Sequence, residues 1–303
     1  MDNTAPVMSS NHRCLCGNAD WIKVFTYTAP PAGETRFACS TCGTYYREVL
    51  RCTRCGHFIS VSTMDMNSLY AGAYVSSTYG DDGIRRNFDR IISLPAEKSD
   101  NAGRVRRVVD FARNFLQDGR RNRKPRILDV GSGLCVFLYL MKQAGWQCTA
   151  LDPDPRMVRH ARETVGVDAV CGDFMETDKF KRFDAIAFNK VLEHVADPIA
   201  MLRHSARFLR QSGFVYVEVP DGEAAVADGP EREEFFIEHL HVFSLKSLDV
   251  LASKAGFVPV QVERIREPSS KFTLCGFFIQ RNTLSVKPFN RTVLWTGSSF
   301  RFL

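Results

Sequence analysis

The stretch KPRILDVGSGLCVFLYLMKQAGWQCTALDPDPRMVRHARETVGVDAVCGDFM, residues 124–175, decides the fold of this 303-residue chain. Residues 126–130 predict a buried strand, and the tight turn GSG and a helix over 136–144 follow it. A second strand ends at Asp152, roughly twenty residues after the glycine turn. An acid at this place is typical of a nucleoside site, because it binds ribose hydroxyls at the ends of parallel strands.

The rest of the core continues the alternation of strands and helices. FDAIAFN (183–189) predicts a strand, NKVLEH a turn, and GFVYVEVP (213–220) another strand. A helix over 247–255 precedes PVQVERI and TLCGFFIQR, which predict a closing antiparallel pair. We therefore expect an α/β fold, with a seven-stranded sheet and helices on both of its faces.

At this point residues 123–282 resemble the class I S-adenosylmethionine-dependent methyltransferases. The resemblance rests on LDVGSG, LD at Asp152 and GDF at Asp173, which follow successive strands. It implies a Rossmann-like sheet and S-adenosylmethionine as the cofactor. The glycine turn then lies under the methionine part, Asp152 holds the ribose, and Asp173 contacts the adenine amine. By position, the residues assigned to the cofactor are Asp129, Gly131, Ser132, Gly133, Asp152, Asp173, Phe174 and Asn189.

One departure from the family pattern is Cys135, which stands at the usual position of a third glycine. A dinucleotide-binding fold is the competing interpretation of the glycine turn. The acids in step with three successive strands favour the methyltransferase.

Six of the ten cysteines fall within residues 14–55. Two C-x-x-C-G turns, Cys39/Cys42 and Cys52/Cys55, bring thiolates together where glycine permits backbone N–H groups to point at sulfur. The N-terminus lacks the basic start and apolar run of a signal peptide, and no apolar stretch is long enough for a membrane span. We therefore expect a cytoplasmic protein with no membrane contact, in which these thiols bind metal.

A four-cysteine site is closed and tetrahedral, so we expect structural zinc. The first assignment of ligands is Cys39, Cys42, Cys52 and Cys55. The pair Cys14 and Cys16 offers a third source of thiolates, and His12 and His57 are further candidates, so the choice of four stays open.

Domain boundaries follow from these patterns. Residues 1–62 are predicted to form a zinc-ribbon-like module and residues 63–122 a helical segment that caps the active site. The methyltransferase core covers 123–282, and residues 283–303 form a C-terminal tail. The net charge of +6 comes from residues 104–124, which hold eight Arg or Lys and two Asp. Such a segment suits phosphate binding, but a helix with a solvated arginine face followed by a polar linker is the commoner explanation.

The stretch FIEHLHVFSL, residues 236–245, follows the fifth core strand. With the cysteine module in front of the core, it resembles sugar C-methyltransferases and related bacterial polysaccharide and natural-product enzymes. Those enzymes carry a Glu-His pair here and a histidine in the turn after the fourth strand. The resemblance assigns the pair to Glu238 and His239 and the other histidine to His194. Phe236 stands where those enzymes tend to have tyrosine. We also expect this chain to lack their C-terminal domain, although VLWTGSSFRFL (293–303) resembles its opening strand and glycine turn, so oxygen is as plausible a target as carbon.

Deprotonation of a hydroxyl, or of a carbon beside a ketone, needs a base, and histidine suits that task. We expect His239 to be this base, oriented by Glu238, with His194 helping and His241 as a further candidate. The predicted acceptor is a small molecule, a sugar or nucleotide-linked sugar. The alternatives are an RNA methyltransferase that grips phosphates with the module and basic segment, and a zinc-dependent binding module that has lost catalysis.

Overall fold

The structure, a computed structural model, describes residues 12–34, 45–62, 73–116, 123–178, 180–283 and 292–294, with only the backbone for 73–82 and 292–294. Strands of these residues form two sheets. In chain order the strands are β1 (Trp21–Tyr27), β2 (Arg47–Cys52), β3 (Phe58–Ser62), β4 (Arg126–Val130), β5 (Gln147–Asp152), β6 (Asp168–Cys171), β7 (Phe183–Asn189), β8 (Leu209–Pro220), β9 (His241–Val242), β10 (Phe257–Arg266), β11 (Phe272–Gln280) and β12 (Thr292–Leu294).

Helices connect the strands of the larger sheet and cover it. They are α1 (Ala73–Ile92), α2 (Asp100–Phe115), α3 (Val136–Gln143), α4 (Pro155–His160), α5 (Pro198–Ser205), α6 (Gly222–Ala225) and α7 (Leu245–Lys254). Short 3₁₀ or π turns add Ala96–Lys98, Ala161–Val165, Val226–Asp228, Glu233–Phe235 and Arg281–Thr283. The predicted elements of the core are confirmed to within a few residues.

The larger sheet has the strand order β12-β10-β11-β8-β7-β4-β5-β6. The strands from β8 to β6 are parallel, and β11 is antiparallel to both β8 and β10. The seven predicted strands are confirmed, and β12 pairs parallel to β10 as an additional edge. Chain order reverses between β4 and β7. In open parallel sheets ligands bind at such a reversal, outside the carboxyl ends of the strands.

Two apolar layers sandwich this sheet. On one face α2, α3 and α4 bury side chains such as Phe111 and Leu138 against β4, β8 and β11. On the other face α5 and α7 bury Leu202 and Leu248 against the same sheet. Strands that are buried on both faces read as continuous apolar runs, which is why these segments show little alternation in the sequence.

Helix α2 fastens the helical segment to the core. The Ser99 side chain accepts from the backbone N–H of Ala102 and caps the helix. Within the helix, the Phe111 ring stacks on that of Phe277, with centroids 4.1 Å apart. The predicted helix is therefore confirmed, and its apolar face lies on the sheet.

The smaller sheet has the order β1-β2-β3-β9. Its first three strands are antiparallel and come from the N-terminal cysteine region. Its fourth strand, β9, comes from the core sequence, and Ile59 pairs there with His241. The N-terminal module therefore shares a sheet with the segment that carries the predicted base.

Among the described helices, none combines the length and the apolarity that a membrane span requires.

Candidate functional site

The glycine turn after β4 has a left-handed backbone. Gly131 and Gly133 have φ values of 67° and 49°, in the left-handed region that favours glycine. A Cβ on Gly131 would lie 2.8 Å from Val191 Cγ2, whereas the space around Gly133 is open. Cys135 adopts φ 61°, also in the left-handed region, and its side chain packs in the core.

Polar atoms of Ser132 and Asn189 are buried near this turn. The hydroxyl of Ser132 and the Asn189 Oδ1 have no hydrogen-bond partner among the residues that the structure describes. The Asn189 amide donates to Asp129 Oδ1 over 2.7 Å. Burial raises the pKa of Asp129 to about 7. Unpaired buried polar atoms cost free energy, so these groups fit a polar ligand at the ends of β4 and β7.

Asp152 closes β5 and faces the glycine turn. Its Oδ2 accepts from the Gly133 N–H over 2.8 Å, and its Oδ1 accepts from the Asp154 N–H over 3.0 Å. Each oxygen keeps a second lone pair for a ligand. Burial raises the pKa of this carboxyl. A carboxylate in this place can accept hydrogen bonds from a diol such as ribose.

The turn after β6 separates the two predicted adenine contacts. Asp173 is exposed, and its Oδ1 accepts from the Met175 N–H over 2.7 Å. Phe174 is buried, with its ring against those of Phe188 and Phe208. Phe174 therefore supports the turn from inside the core. Its contact with the cofactor stays a prediction, while Asp173 and the exposed Met175 are the accessible side chains.

Two histidines from distant segments meet at the end of β7. The rings of His194 and His239 have centroids 4.9 Å apart. In each ring Nδ1 donates to a main-chain carbonyl over 2.8 Å, that of Glu238 for His194 and that of Glu234 for His239. A carbonyl oxygen only accepts, so these bonds place the proton on Nδ1. In a neutral ring Nε2 is then the basic nitrogen.

Burial lowers the pKa of His239 well below its ordinary value, and the charge of His194 adds to this effect. His239 is therefore neutral at neutral pH. A neutral imidazole can take a proton, whereas a charged one cannot.

Glu193, which the sequence patterns did not single out, completes this cluster. One ligand atom each from Glu193, His194 and His239 lies within 4.8 Å of the others. Glu193 is fully buried, and neither carboxylate oxygen has a hydrogen-bond partner in the described part of the chain. Burial raises its pKa. The signal was present, since Glu193 and His194 form a Glu-His pair like that of Glu238 and His239.

The role of Glu238 as the orienting group of His239 stays a prediction, because the hydrogen bonds at the two Nδ1 atoms involve main-chain carbonyls and not the Glu238 carboxylate. The backbone carbonyl of Glu234 orients His239, and the carbonyl of Glu238 orients His194. Burial raises the pKa of the Glu238 carboxyl. Sequence reasoning could not choose a backbone oxygen, because every residue carries one.

His241 lies in β9, the fourth strand of the smaller sheet. Its Nδ1 lies 3.0 Å from Nε2 of His57, whose Nδ1 lies 3.3 Å from Ser247 Oγ. Burial lowers the pKa of His241 to about 4. Through His57, His241 therefore connects the smaller sheet to α7 of the core. His57 uses both ring nitrogens in these contacts, so its candidacy as a zinc ligand is not supported.

Much of the basic segment is neutralised internally. Arg104 and Arg107 both donate to the carboxylate of Glu218, near the end of β8. Burial opposes ionisation of Glu218, but the charges of the two arginines outweigh it and hold the pKa of this carboxyl below its usual range. Arg123 pairs with Asp184 over 2.8 Å. The arginines thus fasten α2 and the start of β4 to the core.

Four sulfur atoms converge at the N-terminal sheet. Cys14 and Cys55 have Sγ atoms 3.3 Å apart, those of Cys16 and Cys52 are 3.7 Å apart, and all four lie within 4.8 Å of one another. Tetrahedral zinc, with Zn–S bonds of about 2.3 Å, needs sulfurs about 3.8 Å apart. The cluster therefore fits one zinc ion.

The turns around these cysteines have the geometry of metal knuckles. Gly17 and Gly56 take φ values of 87° and 73°, and the Gly56 N–H donates to the carbonyl of Cys52. The Asn18 amide donates to Cys52 Sγ over 3.5 Å. The structure thus gives Cys52 and Cys55 the partners Cys14 and Cys16. The other predicted pair, Cys39 and Cys42, lies outside the described residues.

Comparisons with known proteins agree with this geometry. The family model described as "Methyltransferase domain" matches residues 98–262. A ubiquinone biosynthesis O-methyltransferase of Xanthomonas oryzae pv. oryzae is 34% identical over 99 residues, which cover 30% of this chain and 41% of that protein. The Xanthomonas campestris pv. campestris protein of the same name is 32% identical over the same length. The match therefore spans about two fifths of these curated relatives.

Among solved structures, the Burkholderia thailandensis 1,6-didemethyltoxoflavin-N1-methyltransferase is similar to this chain. That structure holds 1,6-didemethyltoxoflavin and S-adenosylhomocysteine. The match covers 83% of this chain and 99% of the other, with 18% identity and a TM-score of 0.52. At this level of identity the similarity shows a shared fold.

Proposed function

Because the chain belongs to the methyltransferase domain family, and is thus an S-adenosylmethionine-dependent methyltransferase, we propose that it methylates an oxygen or carbon atom of a small acceptor, with His239 as the general base. The observation that carries this proposal is the pair of hydrogen bonds that orient His194 and His239 at the end of β7. A base oriented in this way serves an acceptor that must lose a proton.

The cofactor supplies a methyl group that is already activated on a sulfonium. The chain's own residues then have to bind and align. Asp152 would accept from the ribose hydroxyls, and the Ser132 hydroxyl and Asn189 Oδ1 would find partners in the methionine part. Asp173 would bind the adenine amine. These contacts would satisfy polar atoms at the strand ends. Two of those atoms, the Ser132 hydroxyl and Asn189 Oδ1, are buried, whereas Asp173 is exposed.

His239 would take the proton of the acceptor at Nε2. Its Nδ1–H stays on the Glu234 carbonyl, which fixes the tautomer throughout. His194 lies across from it and would position the acceptor. General-base catalysis of this kind contributes about 10²–10⁴ in rate.

A sugar, free or linked to a nucleotide, is the acceptor class that we propose. Its hydroxyls, and the carbon next to a sugar ketone, need a base before they can attack a methyl group. Two segments meet in this cluster, the turn NKVLEH and the stretch FIEHLHVFSL. The resemblance to sugar methyltransferases rests on them. An amine acceptor would need less help from a base.

RNA is the weaker alternative. A phosphate-binding face needs unpaired cations, yet Arg104, Arg107 and Arg123 are paired with Glu218 and Asp184. These three side chains therefore do not support an RNA-binding face.

The experiment measures S-adenosylhomocysteine release with a panel of nucleoside diphosphate sugars that carry free hydroxyls or a ketone. On the accepted sugar, His239→Ala should lower kcat about 10²–10⁴-fold while the affinity for S-adenosylmethionine stays unchanged. Because the pKa of His239 is depressed, the acid limb of the wild-type rate should lie below the range of an ordinary histidine. His241→Gln is the matched control, since His241 contacts His57.

Two outcomes would overturn the assignment. In the first, His239→Ala turns over normally. In the second, turnover requires added Mg²⁺ or Mn²⁺, because the same cluster of Glu193, His194 and His239 has the donor atoms of a divalent metal site. A metal held there would occupy the ring nitrogen that the proton needs.

A further inference from the structure

The segment that carries His239 crosses from the core to the N-terminal module and is bonded to it along its length. The Tyr27 hydroxyl donates to the Pro230 carbonyl over 2.8 Å, and the Ser60 N–H donates to the Leu240 carbonyl over 3.3 Å. Beyond Leu240 the segment pairs with β3 as strand β9. Both ends of the segment 230–242 are therefore fixed by the module.

A buried ion pair grips the middle of this segment. Glu34 and Arg47 lie 3.0 Å apart with both side chains almost fully buried. Arg47 Nη1 donates to the Phe235 carbonyl over 2.6 Å, and Glu34 Oε2 accepts from the Ile237 N–H over 2.6 Å. Arg47 thus binds a backbone carbonyl and Glu34 a backbone N–H, and these two backbone groups lie two positions apart in the segment.

The pair is itself held in place by its surroundings. The Tyr45 hydroxyl donates to Glu34 Oε1 over 2.5 Å and accepts from Arg47 Nε over 3.2 Å. The Arg47 guanidinium also lies over the Tyr27 ring, 4.1 Å from its centroid. Because the charges are buried, each needs its partner and its hydrogen bonds, so the pair has one favourable geometry.

These contacts come directly after the group that orients the base. The Glu234 carbonyl, which fixes the His239 ring, comes immediately before Phe235. His239 follows Ile237 by two positions, and its own N–H donates to the Phe236 carbonyl over 3.0 Å. The two backbone groups that the ion pair holds therefore lie between the orienting carbonyl and the base itself.

We propose that the Glu34–Arg47 pair of the N-terminal module positions His239 for proton abstraction, so that the module is a working part of the active site. This inference rests on the proposed role of His239 as the base. Glu34 and Arg47 are positioning residues, since they act on the acceptor through the segment that they hold.

The test is a double-mutant cycle between Glu34→Gln and His239→Ala in the full-length protein. Glu34→Gln keeps an acceptor for the Ile237 N–H but removes the charge that pairs with Arg47. A misplacement of about 1 Å can cost about 10²-fold in rate. We therefore expect kcat to fall about 10- to 100-fold while KM for the acceptor and the affinity for S-adenosylmethionine stay within about twofold.

The cycle separates positioning from a general loss of structure. Without the His239 ring there is nothing left to position, so Glu34→Gln should have no further effect on kcat in the His239→Ala background. The matched control is Lys23→Gln, which removes the Lys23–Glu48 ion pair of the same sheet, on strands β1 and β2. This control should retain wild-type kcat.

A second variant covers the case in which Glu34→Gln fails to fold. Tyr45→Phe leaves both charges and removes only the hydroxyl that bridges Glu34 and Arg47, and its smaller loss of kcat should vanish in the same way on His239→Ala. Additive losses in the two backgrounds would overturn the positioning role. An active His239→Ala variant would instead overturn the proposed base, so the two failures are distinguishable.

Discussion

The two halves of the site are built in different ways. Most of the cofactor side comes from one continuous stretch, since the glycine turn, Asp152 and Asp173 lie in order at the ends of β4, β5 and β6. The acceptor side combines segments that are far apart in the chain, with Glu34 and Arg47 from the module, Glu193 and His194 after β7, and His239 after β8. A contiguous site can be read as a motif. A dispersed site needs the fold before its members can be recognised.

The difference also separates what each half depends on. The cofactor side rests on the main sheet alone. The acceptor side depends on a second sheet that the cysteine cluster anchors, because Ser244 Oγ donates to the Cys55 carbonyl and β3 pairs with β9. Loss of the module should therefore affect the two halves unequally.

The largest expected effect comes from removing a thiolate of the cluster. We predict one zinc per chain, held by Cys14, Cys16, Cys52 and Cys55, and Cys16→Ser should lose it. A structural zinc supplies the folding energy of its small module. Turnover should then fall at least about 100-fold, because the segment that carries His239 loses its support. Elemental analysis, calorimetric titration with S-adenosylmethionine and steady-state rates provide the measurements.

The matched control is Cys39→Ser, which should keep the metal and the rate. If Cys39→Ser loses the zinc while Cys14→Ser retains it, the ligands are those first expected from the C-x-x-C-G turns. If Cys16→Ser weakens cofactor binding as strongly as turnover, the two halves are not separable in the way that the contacts indicate.

The second effect, of intermediate size, lies on the cofactor side. Asp152→Ala should weaken binding of S-adenosylmethionine about 10- to 100-fold, because hydrogen bonds to a charged group contribute about 1.5–3 kcal/mol. The zinc content should stay at the wild-type value. Calorimetric titration measures the affinity. Asp168→Asn is the control, since Asp168 is exposed at the start of β6, at the opposite end of this strand from Asp173. Unchanged affinity in Asp152→Ala would contradict the assignment of the ribose contact.

The sequence alone predicted most of the main sheet, for a physical reason. Buried parallel strands are apolar on both faces, and glycines with positive φ mark the turn after β4, so local composition reports local structure. The cysteine spacing likewise predicted a metal module. These features depend on neighbours within a few residues.

The parts that the sequence patterns did not indicate depend on distant or generic groups. The carbonyl of Glu234 orients His239, and nothing in a side-chain pattern distinguishes one carbonyl from another. The partners of Cys52 and Cys55 come from about forty residues earlier in the chain, where the C-x-C spacing of Cys14 and Cys16 was the weaker signal. Arg104 and Arg107 read as a basic surface because Glu218, their buried partner, lies more than a hundred positions away.

The smallest expected effect concerns the joint between the smaller sheet and α7, where His57 contacts His241 and Ser247. Burial lowers the pKa of His57 well below its ordinary value, and the charge of His241 adds to this. Burial also lowers the pKa of His241 to about 4. The unfolded chain therefore binds more protons here than the folded one. Stability from this joint should be complete above about pH 6.5, the unfolded value, and should decline as the pH falls towards 4.

Urea unfolding midpoints at several pH values between 7.5 and 4.5 provide the measurement, and His241→Gln provides the comparison. Glutamine keeps a polar group beside His57 but does not titrate, so the variant should lose less stability on acidification than the wild type. Buried carboxyls with raised pKa values, such as Asp129, shift stability in the opposite direction in both proteins and cancel in the difference. If the midpoints of the two proteins change with pH in parallel, His241 does not take up a proton on unfolding. A smaller dependence of the midpoint on pH in His241→Gln would show that the acid-sensitive contact of the acceptor side lies at β9, apart from the cofactor strands.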